Sequence, residues 1–201
     1  SQTSKEYTWS DLNFNQETGT YSVKFSNEIP NGDFFQIFGD KKVFRGKIKN
    51  GKKDGLWTYW NDQGVKEKEI MYLNGKDILW TFFDNGRKLR EGQMVDGKEE
   101  GTWIFFDENG VKERETEHIA GEEEGLYSLW YDNGQKKEEG PYKGNARIGK
   151  WTWWYDSGQK WKEGTYLEGE RDGTWLFWKR SGSRWKDVVY DNGEYMSKKD
   201  Y

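Results

Sequence analysis

The sequence predicts an all-β protein: an elongated repeat array of antiparallel β-hairpins, about 24 residues per repeat, forming a single twisted meandering sheet. Three observations predict it. An aromatic word recurs six times in register, each copy carries two turn glycines, and no stretch shows helical periodicity over a useful length. The words are GLWTYWNDQG, ILWTFFDNG, GTWIFFDENG, GLYSLWYDNG, GKWTWWYDSG and GTWLFWKRSG. Their lead aromatics, Trp57, Trp80, Trp103, Tyr127, Trp151 and Trp175, form a structural ladder at intervals of 23, 23, 24, 24 and 24 residues.

Within a repeat, an aromatic strand ends in Asp-Asn-Gly or a variant, closed by Gly64, Gly86, Gly110, Gly134, Gly158 or Gly182. Such turns need a left-handed residue, which glycine supplies without steric cost. A charged second strand follows. A second glycine (Gly75, Gly97, Gly121, Gly144, Gly169 or Gly193) turns the chain into the next repeat. The domain reading is an N-terminal β cap over 1–31, a degenerate repeat over 32–53 led by Phe34, six repeats over 54–193, and a C-terminal tail over 194–201. In the cap, YTWSDLNF and GTYSVKFS read as two strands that blunt the open sheet edge. One hairpin alone is marginal, so stability comes from stacking neighbours.

Composition says what fills that stack. Only 32% of the 201 residues are hydrophobic, yet 18% are aromatic and 34% charged. A disordered chain would be poor in aromatics. Aromatic ladders here stand in for an aliphatic core. With no Cys and one His, thiol chemistry, disulfides and the usual zinc sites are excluded. A net charge of -4 argues against a dedicated nucleic-acid binder. No apolar run approaches the roughly 20 residues that span a membrane. The chain starts at Ser1, and SQTSKEY suits a processed mature N-terminus; cytoplasmic and exported locations both stay open.

Strand parity then sorts the columns. Trp57 and Tyr59 face one way, and Trp60, Phe83, Phe106, Trp130, Trp154 and Trp178 the other. The column Lys66, Lys88, Lys112, Lys136, Lys160 and Arg184 is expected opposite the column Glu69, Glu91, Glu115, Glu139, Glu163 and Asp187. A further column (Glu67, Leu89, Glu113, Lys137, Trp161, Trp185) is mostly charged in its early copies, so it faces water.

The pattern G-x-W-x-x-W/F-Y/F-D-N-G-x-K-x-x-E-G-x-Y-x-x-G, clearest in 125–144 and 149–169, resembles the bacterial MORN-type repeats of the YwqK antitoxin-like family. The resemblance covers roughly 54–193. It implies an array of twisted hairpins serving protein–protein interaction, and a partner that is a toxin to be neutralised. Ile78 departs from the repeat-opening glycine, TEHIAG from the Gly-x-Tyr-x-x-Gly step, and 180–190 from the Asp-Asn-Gly turn. Choline- and glucan-binding repeats also use aromatic hairpins, but the Lys/Glu-rich second strand here is unlike theirs.

Catalysis needs a unique constellation, and a repeat column is not unique. No catalytic residue, metal ligand or cofactor is assigned. The acidic column reads as paired with the basic one, His118 as a ladder residue, and Glu122, Glu123 and Glu124 as a solvated turn. Function belongs where repeats differ. Seven of the 13 Trp fall between 151 and 185. Trp153, Trp154, Trp161, Trp178 and Trp185 are the candidate partner-binding residues. The competing reading covers Trp161 and Trp185 with the C-terminal tail, including Tyr195 and Tyr201. The expected function is a non-catalytic interaction module with a protein partner. The alternative is a carbohydrate- or envelope-binding protein with Trp stacking platforms. Glycan and lipid rank below protein, and dimerisation through an open final hairpin is a further possibility.

Overall fold

The structure, a computed structural model, describes residues 5–8, 10–26, 28–38 and 41–201. Trp9, within the first cap segment, lies outside the described residues. Strands account for all regular structure among the described residues, and the hairpins follow one another antiparallel as the repeats require. No helix there is long and apolar enough to cross a membrane. The chain divides into two compact units, Ser1–Met94 and Val95–Tyr201.

The first unit holds β1 (Glu6–Tyr7), β2 (Leu12–Asn15), β3 (Thr20–Val23), β4 (Gly32–Phe38), β5 (Lys41–Lys49), β6 (Lys52–Trp60), β7 (Lys66–Leu73), β8 (Lys76–Asp84) and β9 (Arg87–Val95). From β4 to β9 each strand pairs antiparallel with the next. The cap residues contribute β1, parallel to β4, and a separate β2–β3 hairpin. Tyr7, Leu12 and Tyr21 from these strands bury themselves with Phe34, Phe44, Ile48 and Trp57. Tyr21 N–H donates to Gly51 O at 2.6 Å, which ties the hairpin to the β5–β6 turn.

The second unit holds β10 (Lys98–Phe106), β11 (Lys112–Ile119), β12 (Glu122–Glu123), β13 (Gly125–Trp130), β14 (Lys136–Lys143), β15 (Ala146–Arg147), β16 (Gly149–Trp154), β17 (Lys160–Leu167), β18 (Glu170–Trp178), β19 (Arg184–Asp191) and β20 (Glu194–Asp200). It is again a meander, with β12 and β15 as short lead-ins to β13 and β16. Residues 194–200, read from the sequence as a tail, form the edge strand β20 against β19.

Two turn types explain the two glycines. The second glycine closes two-residue turns with both central residues at positive φ, as at Asn74 (52°) and Gly75 (85°). The first glycine closes a longer loop: in 155–159, Tyr155 N donates to Gln159 O at 2.8 Å and Gly158 N to Tyr155 O at 2.9 Å. The 180–190 segment keeps this loop although it lacks Asp-Asn-Gly, because Gly182 supplies the left-handed residue (φ 83°) and Lys179 N reaches Ser183 O at 2.9 Å.

Bulges set the remaining geometry. In β18, Gly173 (φ 67°) sits two residues before Trp175 and absorbs a register shift against β17. In β8 no glycine takes that position, and the shift around Ile78 is one residue smaller. That missing residue makes the interval from Trp57 to Trp80 23 instead of 24. Every second strand also carries a bulge just after its start, for example between Trp60↔Lys66 and Tyr59↔Lys68. This corrects one expectation. The extra residue, Glu67, resets the alternation, so Lys66 and Glu69 fall on the same side and pair at 2.7 Å. The same i,i+3 pair recurs at Lys88–Glu91 and Lys160–Glu163, and also at Lys112–Glu115, Lys136–Glu139 and Arg184–Asp187.

Candidate functional site

The site is built from one device that repeats. In the second strand a glycine lies under the indole of the following repeat: Gly46 under Trp57, Gly140 under Trp151, Gly164 under Trp175. A Cβ at any of the three would stand 2.2 Å from ring carbon Cδ2. Close approach brings the indole N–H to a backbone carbonyl, with Trp57 donating to Lys47 O at 3.1 Å, Trp151 to Pro141 O at 3.1 Å and Trp175 to Thr165 O at 3.2 Å. These three rings are fully buried. Trp103 is as well, while Trp80 and Tyr127 are half-buried. Their partner positions explain the difference. Ile70 stands where glycine would precede Trp80, whose indole donates instead to Asp77 Oδ2 at 2.6 Å. Thr116 stands eleven residues before the smaller Tyr127.

On the same face of the second unit, Trp151, Trp153, Trp175 and Val188 form a core cluster lined by Tyr127, Tyr142, Tyr166, Phe177 and Tyr190. Cations cover these rings. The Arg147 guanidinium carbon lies 4.2 Å from the Trp151 centroid, and Arg171 4.9 Å from Trp175. Lys162 Nζ lies 4.2 Å from Trp153 and 4.7 Å from Trp161. Each such contact contributes about 0.5–1 kcal/mol or more as water is excluded. Burial, then the neighbouring Arg171 charge, lowers the Lys162 pKa. Burial also works against the Arg147 charge, but the Tyr142 and Tyr166 hydroxyls and Glu138 outweigh it and raise its pKa.

The first unit has a counterpart. Lys53 Nζ lies 4.4 Å from Trp57 and 5.0 Å from Tyr72. Burial and the nearby Lys68 charge push its pKa down to about 8. Between pH 8 and 10 the unfolded chain keeps a proton that folded Lys53 releases, so stability rises with pH over that window. Above it the trend reverses, because burial holds Tyr21 up at about 12 while an unfolded tyrosine ionises near 10. The rise assigned to Lys53 is on the order of 2 kcal/mol after allowing for its hydrated part. Urea titrations at pH 8 and pH 9.5 check this. Wild type gains stability relative to Lys53→Met, and parallel curves would refute the assignment.

The five candidate tryptophans do not share a surface. Trp153 is only 6% exposed, because its ring lies between Trp151 and Trp175 at centroid distances of 5.8 and 5.5 Å and its N–H donates to Glu138. It belongs to the core. Trp154 and Trp178 are half-buried on the opposite face, beneath the basic ladder. Lys136 covers Trp154 at 5.9 Å, and Lys160 and Arg184 cover Trp178 at 5.2 and 5.0 Å. Trp161 and Trp185 are 36% and 42% exposed. Both occupy the bulge position of their strands, which pushes the side chain outward; Leu89 stands 44% exposed at the same position of β9. Both rings stay partly exposed beside the C-terminal residues. Tyr201 N donates to Trp185 O at 3.0 Å, its hydroxyl donates to Asp187 Oδ2 at 2.9 Å, and its ring lies 5.7 Å from Arg184.

Other sequence candidates are tied into the scaffold. His118 is buried, with Nε2 3.2 Å from Glu99 and Nδ1 3.4 Å from the Thr116 hydroxyl. Glu124 accepts from Gly144 N at 2.9 Å, and Glu123 faces Arg114 at 3.9 Å. Sequence reasoning missed the glycine seats and the cations on the indoles. The eleven-residue step from Gly46, Gly140 and Gly164 to the next Trp was the available signal.

A bulge and an ion pair per hairpin, with glycine-seated indoles at Trp57, Trp151 and Trp175, describe a specific repeat. Three consecutive segments are similar to the MORN repeat variant. They are residues 99–119, 123–143 and 147–168, all in the second unit. Repeats of this type are generally modules for interaction with proteins or membranes. No curated protein matches the chain. Among solved structures, part of the chain is similar to TarM (14% identity, TM-score 0.35, 49% of this chain and 20% of that one). It is similar to accessory secretory protein 1,2 and 3 in Streptococcus pneumoniae (12%, 0.35, 60% and 22%). It is also similar to the GtfA/B complex bound to UDP and GlcNAc (16%, 0.36, 55% and 25%). The likeness thus spans a quarter or less of each of those chains.

Proposed function

We propose that this chain is a non-catalytic interaction module whose second unit binds a protein partner through Trp161 and Trp185. The observation that carries the reading is the contrast among the seven tryptophans between 151 and 185. Trp151, Trp153, Trp154, Trp175 and Trp178 are buried or half-buried, whereas Trp161 and Trp185 stand at bulges with over a third of their surface in water. Exposed aromatics beside cations are the residue types that anchor protein interfaces. Lys186 Nζ lies 4.5 Å from Trp185, so each ring carries a flanking charge. Toxin neutralisation, by occluding the toxin's surface, is the form of this activity that the resemblance to YwqK-like antitoxins favours.

The test is a pull-down from cells and medium of the source with wild type and with Trp161→Ala/Trp185→Ala. One near-stoichiometric protein is expected with wild type and is absent with the double variant, whose thermal transition is unchanged. Retention of that protein by the variant would sink the assignment. Quenching of tryptophan fluorescence by oligosaccharides with no protein retained would transfer it to glycans.

A further inference from the structure

The cationic stripe beside the exposed tryptophans has a charge imbalance that the rest of the second unit lacks. Glu138, Trp153, Lys162, Phe177 and Lys186 stand directly opposite one another across β14, β16, β17, β18 and β19. Earlier in the unit, charged groups on this face come as opposite pairs, as in Arg114 with Glu123. From Lys162 to Lys186 they do not. Arg147 meets Glu138 at 3.5 Å, but Lys162, Arg171 and Lys186 form no ion pair among the described residues. Asp200 lies opposite Lys186 in register, and its carboxylate pairs with Lys198 at 2.9 Å. The like charges are also held close. Arg147 and Lys162 share the Trp153 ring at 5.7 and 4.2 Å, and Lys162 and Arg171 share Trp175 at 6.0 and 4.9 Å.

We propose that this stripe docks an acidic segment of the protein partner, its carboxylates on Lys162 and Lys186, with Arg171 adding positive charge beside Lys162 over Trp175, and its apolar groups against Trp161 and Trp185. The inference rests on the partner-binding reading above. Crowded cations whose neighbouring carboxylates, Glu138 and Asp200, are engaged by Arg147 and Lys198 gain most from an incoming anion, and the flanking rings exclude water from the pairs. Spacing narrows the occupant. Lys162 and Lys186 are two strands apart, or about 10 Å. A polyproline-type segment repeats its face every third residue, at about 9 Å. An acidic residue at every third position therefore matches the stripe.

The test uses fluorescence anisotropy of a labelled peptide repeating Glu-Pro-Ala, with a Gln-Pro-Ala peptide as control, on the full chain. Wild type is expected to bind the acidic peptide and not the control. Lys162→Gln/Lys186→Gln should bind it about tenfold more weakly while staying folded, with a melting temperature lowered only by the lost ring contacts. Lys186→Gln alone, which leaves the Trp153 contact intact, should lose about threefold. Equal binding of both peptides, or of the acidic peptide by folded variants, overturns the proposal. So does binding of phosphatidylserine vesicles without binding of the peptide. If the cellular partner is lost with the tryptophan variant but kept with the lysine variant, the stripe fails and the tryptophan surface stands. If both variants keep it, the surface reading itself fails.

Discussion

Replacing Gly164 with alanine is expected to destabilise the protein by about 3 kcal/mol, far more than one methyl group on a strand normally costs. The added Cβ would lie 2.2–2.5 Å from Cδ2, Cε2 and Cγ of Trp175, inside any tolerable contact. The ring cannot retreat, since Arg171, Tyr166 and Tyr190 pack around it and its N–H is bonded to Thr165 O at 3.2 Å. The sequence contains its own compensating pair, Thr116 with Tyr127. Gly164→Thr should therefore be severe alone and partly relieved by Trp175→Tyr. A double-mutant cycle by chemical denaturation measures that coupling. A Gly164→Ala protein as stable as wild type would mean that the indole is not seated on the backbone.

Trp175→Ala and Trp185→Ala make the second comparison, with the same residue type ten positions apart. Trp175 is fully buried, so its removal leaves a cavity and an orphaned Thr165 carbonyl, at a cost of about 4 kcal/mol. Trp185 is 42% exposed at a bulge, and its loss costs well under about 1 kcal/mol. Thermal melts of the two variants separate the roles. A large drop for Trp185→Ala would make that ring part of the scaffold and remove the reason for placing function there.

The repeat, its turn glycines and the aromatic ladder were legible in the sequence, because each depends on spacing alone. Column facing was not. Strict alternation placed Lys66 and Glu69 on opposite sides, and the bulge at Glu67 brings them together at 2.7 Å. A bulge is a property of how two strands pair, so one strand read alone does not show it. The same limit hid why Trp161 and Trp185 project, since they occupy that extra position. It also placed Trp153 with the binding residues. Its burial follows from Trp151 and Trp175 on both sides, a relation across three strands. The glycine seats left an eleven-residue signature, but its meaning required the register that sets Gly164 beneath the next repeat's indole.

The most direct test of the binding account is calorimetric titration of the purified partner into wild type and into Trp161→Ala/Trp185→Ala, with the melting temperature of each recorded. The account predicts binding at a fixed stoichiometry by wild type, none measurable by the variant, and melting temperatures that agree. Undiminished binding by the variant, or loss of binding together with loss of folding, would contradict it.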